Sequence, residues 1–165
     1  MRLKLICAVA LVAAAISTFA QGENPALRRQ MENIFAKMDQ YVMTDNMPAM
    51  WAMFHPGYYS VDTEGKRMTL AQFKAMVNGY RRSSKMVNCK TRIWNVQLQD
   101  QEAVVWVQQE MTWKEPAGNG RWAVKKSTTR WAENLVHGGP LGWQFKSSQQ
   151  LMTNEPWTFK TTGGG

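Results

Sequence analysis

The sequence predicts an α+β fold in which three N-terminal helices pack on a curved antiparallel β-sheet and form a cone. Apolar residues recur at helical spacing in the first half of the chain and alternate with a period of two after Lys85. Helices followed by long strands with short turns are typical of this class, because both layers bury their apolar faces in one core. The cavity of such a cone is the first place to look for function.

The first helix is predicted from Pro25 to about Met43. Asn24 is a good N-cap, and proline in the first turn loses no intrahelical hydrogen bond. A second, short helix is predicted after the cap residues Asp45 and Asn46. It passes through Trp51 and Phe54 and ends at His55-Pro56-Gly57.

A capping box, in which Thr69 precedes Gln72 by three residues, predicts the start of the third helix. A strand from Tyr58 to Val61 and a turn at 62–65 come before it. Arg81 and Arg82 lie near its C-terminal end, where positive charge is favourable.

Four long strands complete the domain, and the short turns between them predict an antiparallel meander. A six-residue turn is expected at 115–120. The strands are predicted at Val87–Leu98, Ala103–Trp113, Trp122–Leu135 and Leu141–Met152.

Residues 1–20 have the pattern of a cleaved signal peptide. Arg2 and Lys4 precede an apolar run from Leu5 to Ile16, which is too short to span a bilayer, and small residues then lead to a cleavage site near Ala20. We therefore expect an exported, periplasmic or extracellular protein. The domains are residues 1–20 as the signal, 21–153 as one domain, and 154–165 as a flexible tail.

Removing 20 of the 165 residues leaves 145, with 18 basic against 12 acidic side chains and a net charge of +6. This balance favours contact with anionic lipids, polysaccharides or ligands. The basic residues are dispersed and exported proteins meet little nucleic acid, so no nucleic-acid partner and no stable membrane insertion are expected. Cys89 is then the one remaining cysteine, and we expect a small buried strand residue; a reactive thiol or an intermolecular bridge is the alternative.

A methionine repeat, Met47, Met50 and Met53 followed by His55, has spacing that suits a soft ion such as Cu(I). Methionine at this spacing is more often core packing. We predict packing, and expect no metal and no cofactor.

Eight tryptophans make an aromatic cavity wall a plausible hypothesis. Such a wall would suit an apolar or aromatic ligand, or an anionic one if Arg130 or Lys125 faces inward. The alternative is a bulky core together with an aromatic dimer surface. The residues predicted to line the pocket are Trp51, Tyr59, Trp94, Trp106, Trp131 and Arg130.

Residues 24–152 resemble the nuclear transport factor two-like superfamily, in particular its SnoaL-like and ketosteroid-isomerase-like branch. The resemblance rests on the order of elements and on short motifs at 54–59, 62–65, 128–131 and 141–145. It implies the cone fold, and either a ligand-binding domain that forms a homodimer through its sheet or an isomerase, dehydratase or cyclase. Catalytic relatives carry an acidic or histidine side chain on the late strands, and the last strand here has none.

Tyr58, Asp62 and His55 are the candidate catalytic residues of the enzyme alternative. A tyrosine hydroxyl can donate a hydrogen bond to a developing oxyanion while a carboxylate moves a proton. In the competing interpretation, His55 ends a helix, Tyr58 and Tyr59 pack, and Asp62 belongs to its turn.

Overall fold

A computed structural model describes residues 24–151 and 159–160, the last two by their backbone alone. The predicted signal peptide and most of the predicted tail lie outside the described residues. Residues Phe159–Lys160 form a short strand, labelled β7 below.

Three helices are present in the described part of the chain: α1 at Pro25–Met43, α2 at Met47–Trp51 and α3 at Leu70–Ser83. The predicted caps at Asn24, Asn46 and Thr69 are confirmed, whereas Asp45 does not cap α2. Asn24 accepts hydrogen bonds from two amides of the first turn of α1, and Thr69 and Gln72 form the reciprocal capping box of α3.

The prediction that the second helix continues through Phe54 is wrong. Helix α2 ends at Trp51, and strand β1 runs over Phe54–Val61. The amide of Phe145 donates a 2.9 Å hydrogen bond to the carbonyl of Met53, and Phe54 pairs with Phe145. Pairing with a distant strand therefore overrides the local helical pattern.

The remaining strands are β2 at Arg67–Thr69, β3 at Lys85–Gln99, β4 at Glu102–Gly118, β5 at Arg121–His137 and β6 at Trp143–Leu151. The short strand β2 was not predicted, whereas the four long strands that follow it occur in the predicted order. The predicted turn at 115–120 is shorter than expected, because Glu115 and Pro116 still pair with β5. Gly118, Asn119 and Gly120 all have positive φ and make the tight reversal.

The sheet is mixed, with strand order β2-β1-β6-β5-β4-β3, and β7 pairs with β5. The prediction of antiparallel pairing is confirmed for the meander β3–β6. It is wrong for β1, which runs parallel to β6. The alternation of apolar and polar residues within β1 does not show whether its partner strand, about 90 residues later, runs parallel or antiparallel to it.

The core lies between α1 and the sheet. Leu27, Met31, Ile34 and Phe35 project from one side of α1 and are buried. Phe35 meets Phe145 edge to face, with ring centroids 5.4 Å apart. Helix α3 is attached more loosely, since none of its residues is fully buried. No helix among the described residues is long and apolar enough to cross a membrane.

Candidate functional site

The strand register divides the sheet into an inner face towards the helices and an outer face. Directly paired residues share a face, and successive residues alternate. Val105, which is fully buried, pairs with Val96 on β3 and Glu133 on β5. Glu133 pairs with Ser148 on β6, and Ser148 pairs with Ser60 on β1. These residues form one row across the inner face, and it changes from apolar to polar towards β1.

Three buried side chains of the inner face are joined by hydrogen bonds. The hydroxyl of Tyr58 lies 2.7 Å from Oγ of Ser148, and Ser148 Oγ donates a hydrogen bond to Oε2 of Glu133. Because Ser148 donates to the carboxylate, it accepts from Tyr58. Tyr58, Ser148 and Glu133 are called the buried triad below.

Burial sets the protonation of the buried triad. It raises the pKa of the Glu133 carboxyl to about 7, and the hydrogen bond from Ser148 opposes only part of this shift. Burial, together with the nearby Glu133 charge, also raises the pKa of Tyr58 above its ordinary value. Near neutral pH the site therefore combines a carboxyl close to its pKa with a phenol that keeps its proton.

Aromatic rings surround the tyrosine of the triad. The ring of Tyr58 lies 4.7 Å from that of Phe54, nearly perpendicular to it, and 5.8 Å from that of Phe73 on α3. Trp51 contacts Phe73 edge to face, with centroids 5.8 Å apart. Trp131, on the inner face of β5, packs against the core. The polar triad thus sits in largely aromatic surroundings.

The structure separates the three predicted catalytic residues. Tyr58 is buried on the inner face of the sheet, but His55 is exposed on β1, where its Nδ1 accepts a 3.1 Å hydrogen bond from the amide of Gly57. Asp62 accepts two hydrogen bonds, of 2.9 and 2.8 Å, from amides of its own turn. Both of these side chains stabilise the local backbone, and neither is hydrogen-bonded to Tyr58.

The six residues predicted to line the pocket do not share one face. Trp51 and Trp131 pack against the core, whereas Tyr59 alternates with Tyr58 and stacks under the guanidinium of Arg67 at 3.6 Å. The other three, Trp94, Trp106 and Arg130, lie on the outer side of the sheet. Whether a strand residue points inward or outward depends on the register of strand pairing, and the sequence does not determine that register.

The methionine repeat and the cysteine are packed side chains. Met47, Met50 and Met53 all belong to the core. Cys89 is buried on β3, as predicted, and its Sγ lies 3.3 Å from the Asp39 carboxylate. Within residues 24–151, no three His, Cys, Asp or Glu side chains are grouped as metal ligands.

Sequence reasoning missed Glu133 and the role of Ser148. We considered the last strand, β6, for an acidic side chain, whereas Glu133 lies on the preceding strand, β5. The sequence does contain one indication. Glu133 lies two residues from both Trp131 and Leu135, so in a strand all three side chains point to the same face. A lone acidic residue among inward apolar ones is a candidate for a perturbed pKa.

No protein-family profile and no curated protein matches the sequence, but solved structures do. A conserved protein from Planctomyces limnophilus superposes with a TM-score of 0.63 at 7% identity, covering 76% of this chain and 95% of that one. An NTF2-like protein of unknown function from Prochlorococcus sp. NATL2A gives 0.57 at 10% identity, covering 76% and 94%.

A protein assigned as a scytalone dehydratase, from Novosphingobium aromaticivorans, gives a TM-score of 0.54 at 13% identity, covering 78% of this chain and 87% of that one. These similarities show the fold, which is the fold seen in nuclear transport factor two-like (NTF2-like) proteins, as predicted. At such low identity they assign no activity to this chain.

Proposed function

We propose that the inner face of the cone binds a small, mainly apolar molecule, which the buried triad anchors through one polar group. The observation that carries this proposal is the hydrogen-bonded chain from Tyr58 through Ser148 to Glu133 in aromatic surroundings. Apolar sites with a few convergent polar groups are the common form of a small-molecule site.

The proposed ligand is neutral and aromatic rather than anionic. To bind an anionic ligand, the cavity would need a positive side chain, Arg130 or Lys125, that faces inward. Arg130 lies on the outer face beside Trp94, and Lys125 forms an ion pair with Glu115. An anion would also meet the Glu133 carboxylate once that group ionises near pH 7. A hydroxyl or carbonyl group avoids this repulsion and can still hydrogen bond to the triad.

Three probes of matched size test this proposal by calorimetry: naphthalene, 2-naphthol and 2-naphthoate. We expect 2-naphthol to bind more tightly than naphthalene, and 2-naphthoate to bind weakly above pH 7. E133Q and Y58F are expected to weaken 2-naphthol binding by about tenfold, the loss of one well-placed hydrogen bond. R130Q, on the opposite face, is the control and is expected to bind normally. Absence of 2-naphthol binding, or its loss in R130Q alone, would contradict the proposal.

A second candidate function is acid–base catalysis at the same site. It is favoured by the Glu133 pKa of about 7, since a general base works best near its own pKa. Here Glu133 takes the role first given to Asp62: its carboxylate removes a proton next to a carbonyl, and the proton stays on the carboxyl. The Tyr58 hydroxyl donates a hydrogen bond to the developing oxyanion.

Exchange of the α-protons of 2-tetralone in deuterated buffer, followed by NMR, tests this candidate without assuming the natural substrate. Catalysed exchange above the buffer rate is expected to rise as the pH passes 7 and to disappear in E133Q. D62N is the matched control, because Asp62 only caps its turn. Exchange that survives in E133Q, or that wild type does not accelerate, would exclude this role for Glu133.

We also propose that the protein is exported and forms a homodimer. Residues 1–20 support export by their charge and hydropathy pattern. The exposed indole of Trp122, at the end of the sheet near the β4–β5 turn, is 51% exposed and supports self-association through that end. Sedimentation of the mature chain measures the oligomeric state.

A further inference from the structure

The outer face of β3, β4 and β5 combines aromatic rings with excess positive charge. Trp106 on β4 pairs with Asn95 and Ala132, and it alternates with the buried Val105 and Val107. It therefore points away from the helices. The residues that share this side with it in the register are called the outer face below.

Arginine and tryptophan are stacked at the centre of the outer face. A bulge lies between Ile93 and Asn95, and the residue it inserts, Trp94, is 46% exposed. The guanidinium of Arg130 lies 4.9 Å from the centre of the Trp94 ring. Arg130 also donates a hydrogen bond of 3.4 Å to Gln108, which pairs in turn with Arg92. The result is an exposed indole with the Arg130 guanidinium over its ring and a second arginine, Arg92, on the same face of the sheet.

Charge on this surface is unbalanced. Between residues 88 and 132, the register of the three strands puts two acidic side chains on the outer face. Glu110 lies 4.0 Å from Arg92, and Glu102, at the end of β4, forms an ion pair with Lys146 of β6. The basic side chains on the same surface are Lys90, Arg92, Lys114, Lys126 and Arg130. All five belong to exposed residues. These five basic and two acidic side chains give this part of the surface a net charge of three positive units.

This imbalance disfavours a second copy as the occupant of the central outer face. A twofold dimer brings the same patch of both copies together, so five basic side chains would face five others. Like charges brought together in an interface repel one another by several kcal/mol. A polyanion neutralises the same groups, and each guanidinium can donate paired hydrogen bonds to a carboxylate or sulfate.

We propose that the outer face binds an acidic polysaccharide. The C–H face of a sugar ring is flat and apolar, so it can stack on Trp94, while Arg92 and Arg130 bind the carboxylates of neighbouring residues. Export, as proposed from residues 1–20, brings the chain to the cell surface, where such polymers occur. A single-stranded nucleic acid offers phosphates and stacking bases instead, and the experiment distinguishes the two.

Affinity for polygalacturonate, measured by calorimetry in low salt, tests the proposal, with neutral dextran and oligo(dT) as comparison polymers. We expect binding to polygalacturonate and none to dextran. R92Q/R130Q is expected to lower the affinity at least about tenfold. W94A is expected to lower it as well, and W94F to restore it. R29Q/K37Q, which removes the same charge from exposed residues of α1, is the matched control and is expected to change affinity less than about twofold.

Each of three other outcomes would overturn the proposal. An equal loss in R92Q/R130Q and R29Q/K37Q shows a general effect of charge. Tighter binding of oligo(dT), lost in the same variants, shows a nucleic-acid surface. A stable dimer that W94A dissociates shows a self-association surface. E133Q is expected to bind polygalacturonate like wild type, so this result and the result for the cone site are independent.

Discussion

The Tyr58 hydroxyl lies 2.7 Å from Ser148 Oγ, although 90 residues separate the two along the chain. The parallel pairing of β1 with β6 produces this contact, because it places Ser60 opposite Ser148 and turns Tyr58 to the same face. The sheet topology thus assembles the polar part of the inner face from β1 and β6, which lie far apart in the sequence. The consequences for stability can be measured directly.

Removing the Tyr58 hydroxyl is expected to destabilise the fold modestly. Y58F keeps the ring contacts with Phe54 and Phe73 but deprives Ser148 of a hydrogen-bond partner in a buried site. We expect the free energy of unfolding in urea to fall by about 1–2 kcal/mol. Y59F is the matched control, since its ring lies on the other face beside Arg67, and it is expected to change stability by less than about 0.5 kcal/mol. Equal effects in both variants would contradict the burial of the triad.

Protonation of Glu133 is expected to make stability depend on pH. In the unfolded chain the carboxyl has its ordinary pKa of 4.5, and in the folded protein burial raises the pKa to about 7. Below pH 4.5 both states hold the proton and this contribution to stability is complete. Between pH 4.5 and 7 the unfolded state releases its proton first, so stability falls, and above pH 7 the loss levels off at about 3 kcal/mol.

E133Q isolates this contribution from those of other titrating groups. Glutamine stays neutral and can still accept a hydrogen bond from Ser148. We expect the unfolding free energy of wild type to decrease from pH 4.5 to 8 by about 3 kcal/mol more than that of E133Q. Parallel pH profiles for the two proteins would show that Glu133 is not buried as the structure has it.

Much of the fold was accessible from the sequence because it is encoded locally. The Asn24 cap with Pro25 and the Thr69–Gln72 capping box each act within four residues. The long strands followed from alternation and from turn residues such as Gly118 and Gly120. Contacts between distant segments were not accessible in this way. Phe54 was assigned to a helix because its partner, Phe145, cannot be identified from neighbouring residues.

The candidate site was harder to predict because it depends on register. Trp106 and Trp131 both lie within strands and were assigned to one pocket, yet they point to opposite faces. A shift of one residue exchanges the two faces completely. Alternation with Trp131 and Leu135 favoured an inward Glu133, but the sequence did not fix which face is inner. The pairing of Glu133 with the buried Val105 shows that this carboxyl lies inside.

Asp39 is expected to be a stabilising link between α1 and β3. Its carboxylate accepts hydrogen bonds from the Thr91 amide at 2.6 Å and from the Thr91 hydroxyl at 2.8 Å. D39A leaves the partly buried amide without this acceptor and is expected to lower the unfolding free energy by about 2 kcal/mol. E32A removes a carboxylate from the exposed side of the same helix, where its pair with Arg28 is worth about 0.5 kcal/mol at most. A smaller loss in D39A than in E32A would contradict this role.

Cys89 is expected to be unreactive in the folded protein. Burial and the adjacent Asp39 carboxylate both raise the pKa of the thiol, so the reactive thiolate is scarce at pH 8. Iodoacetamide labelling, followed by peptide mapping, should modify Cys89 only after urea unfolds the chain. D39A is expected to speed labelling, because it removes the charge and loosens the contact with α1. Rapid labelling of native wild type would instead support the reactive-thiol alternative.

The amino terminus of the mature chain is expected at Gln21. In a bacterial host with a functioning export pathway, the intact mass should correspond to residues 21–165, and the protein should be recovered outside the cytoplasm. A20R places a large charged side chain at the cleavage position and is expected to retain the segment, whereas Q21R, one residue later, serves as the control. Recovery of the uncleaved 18.9 kDa chain in the cytoplasm would contradict export. It would also remove the argument that favours a polysaccharide over a nucleic acid at the outer face, because that choice depends on where the chain resides.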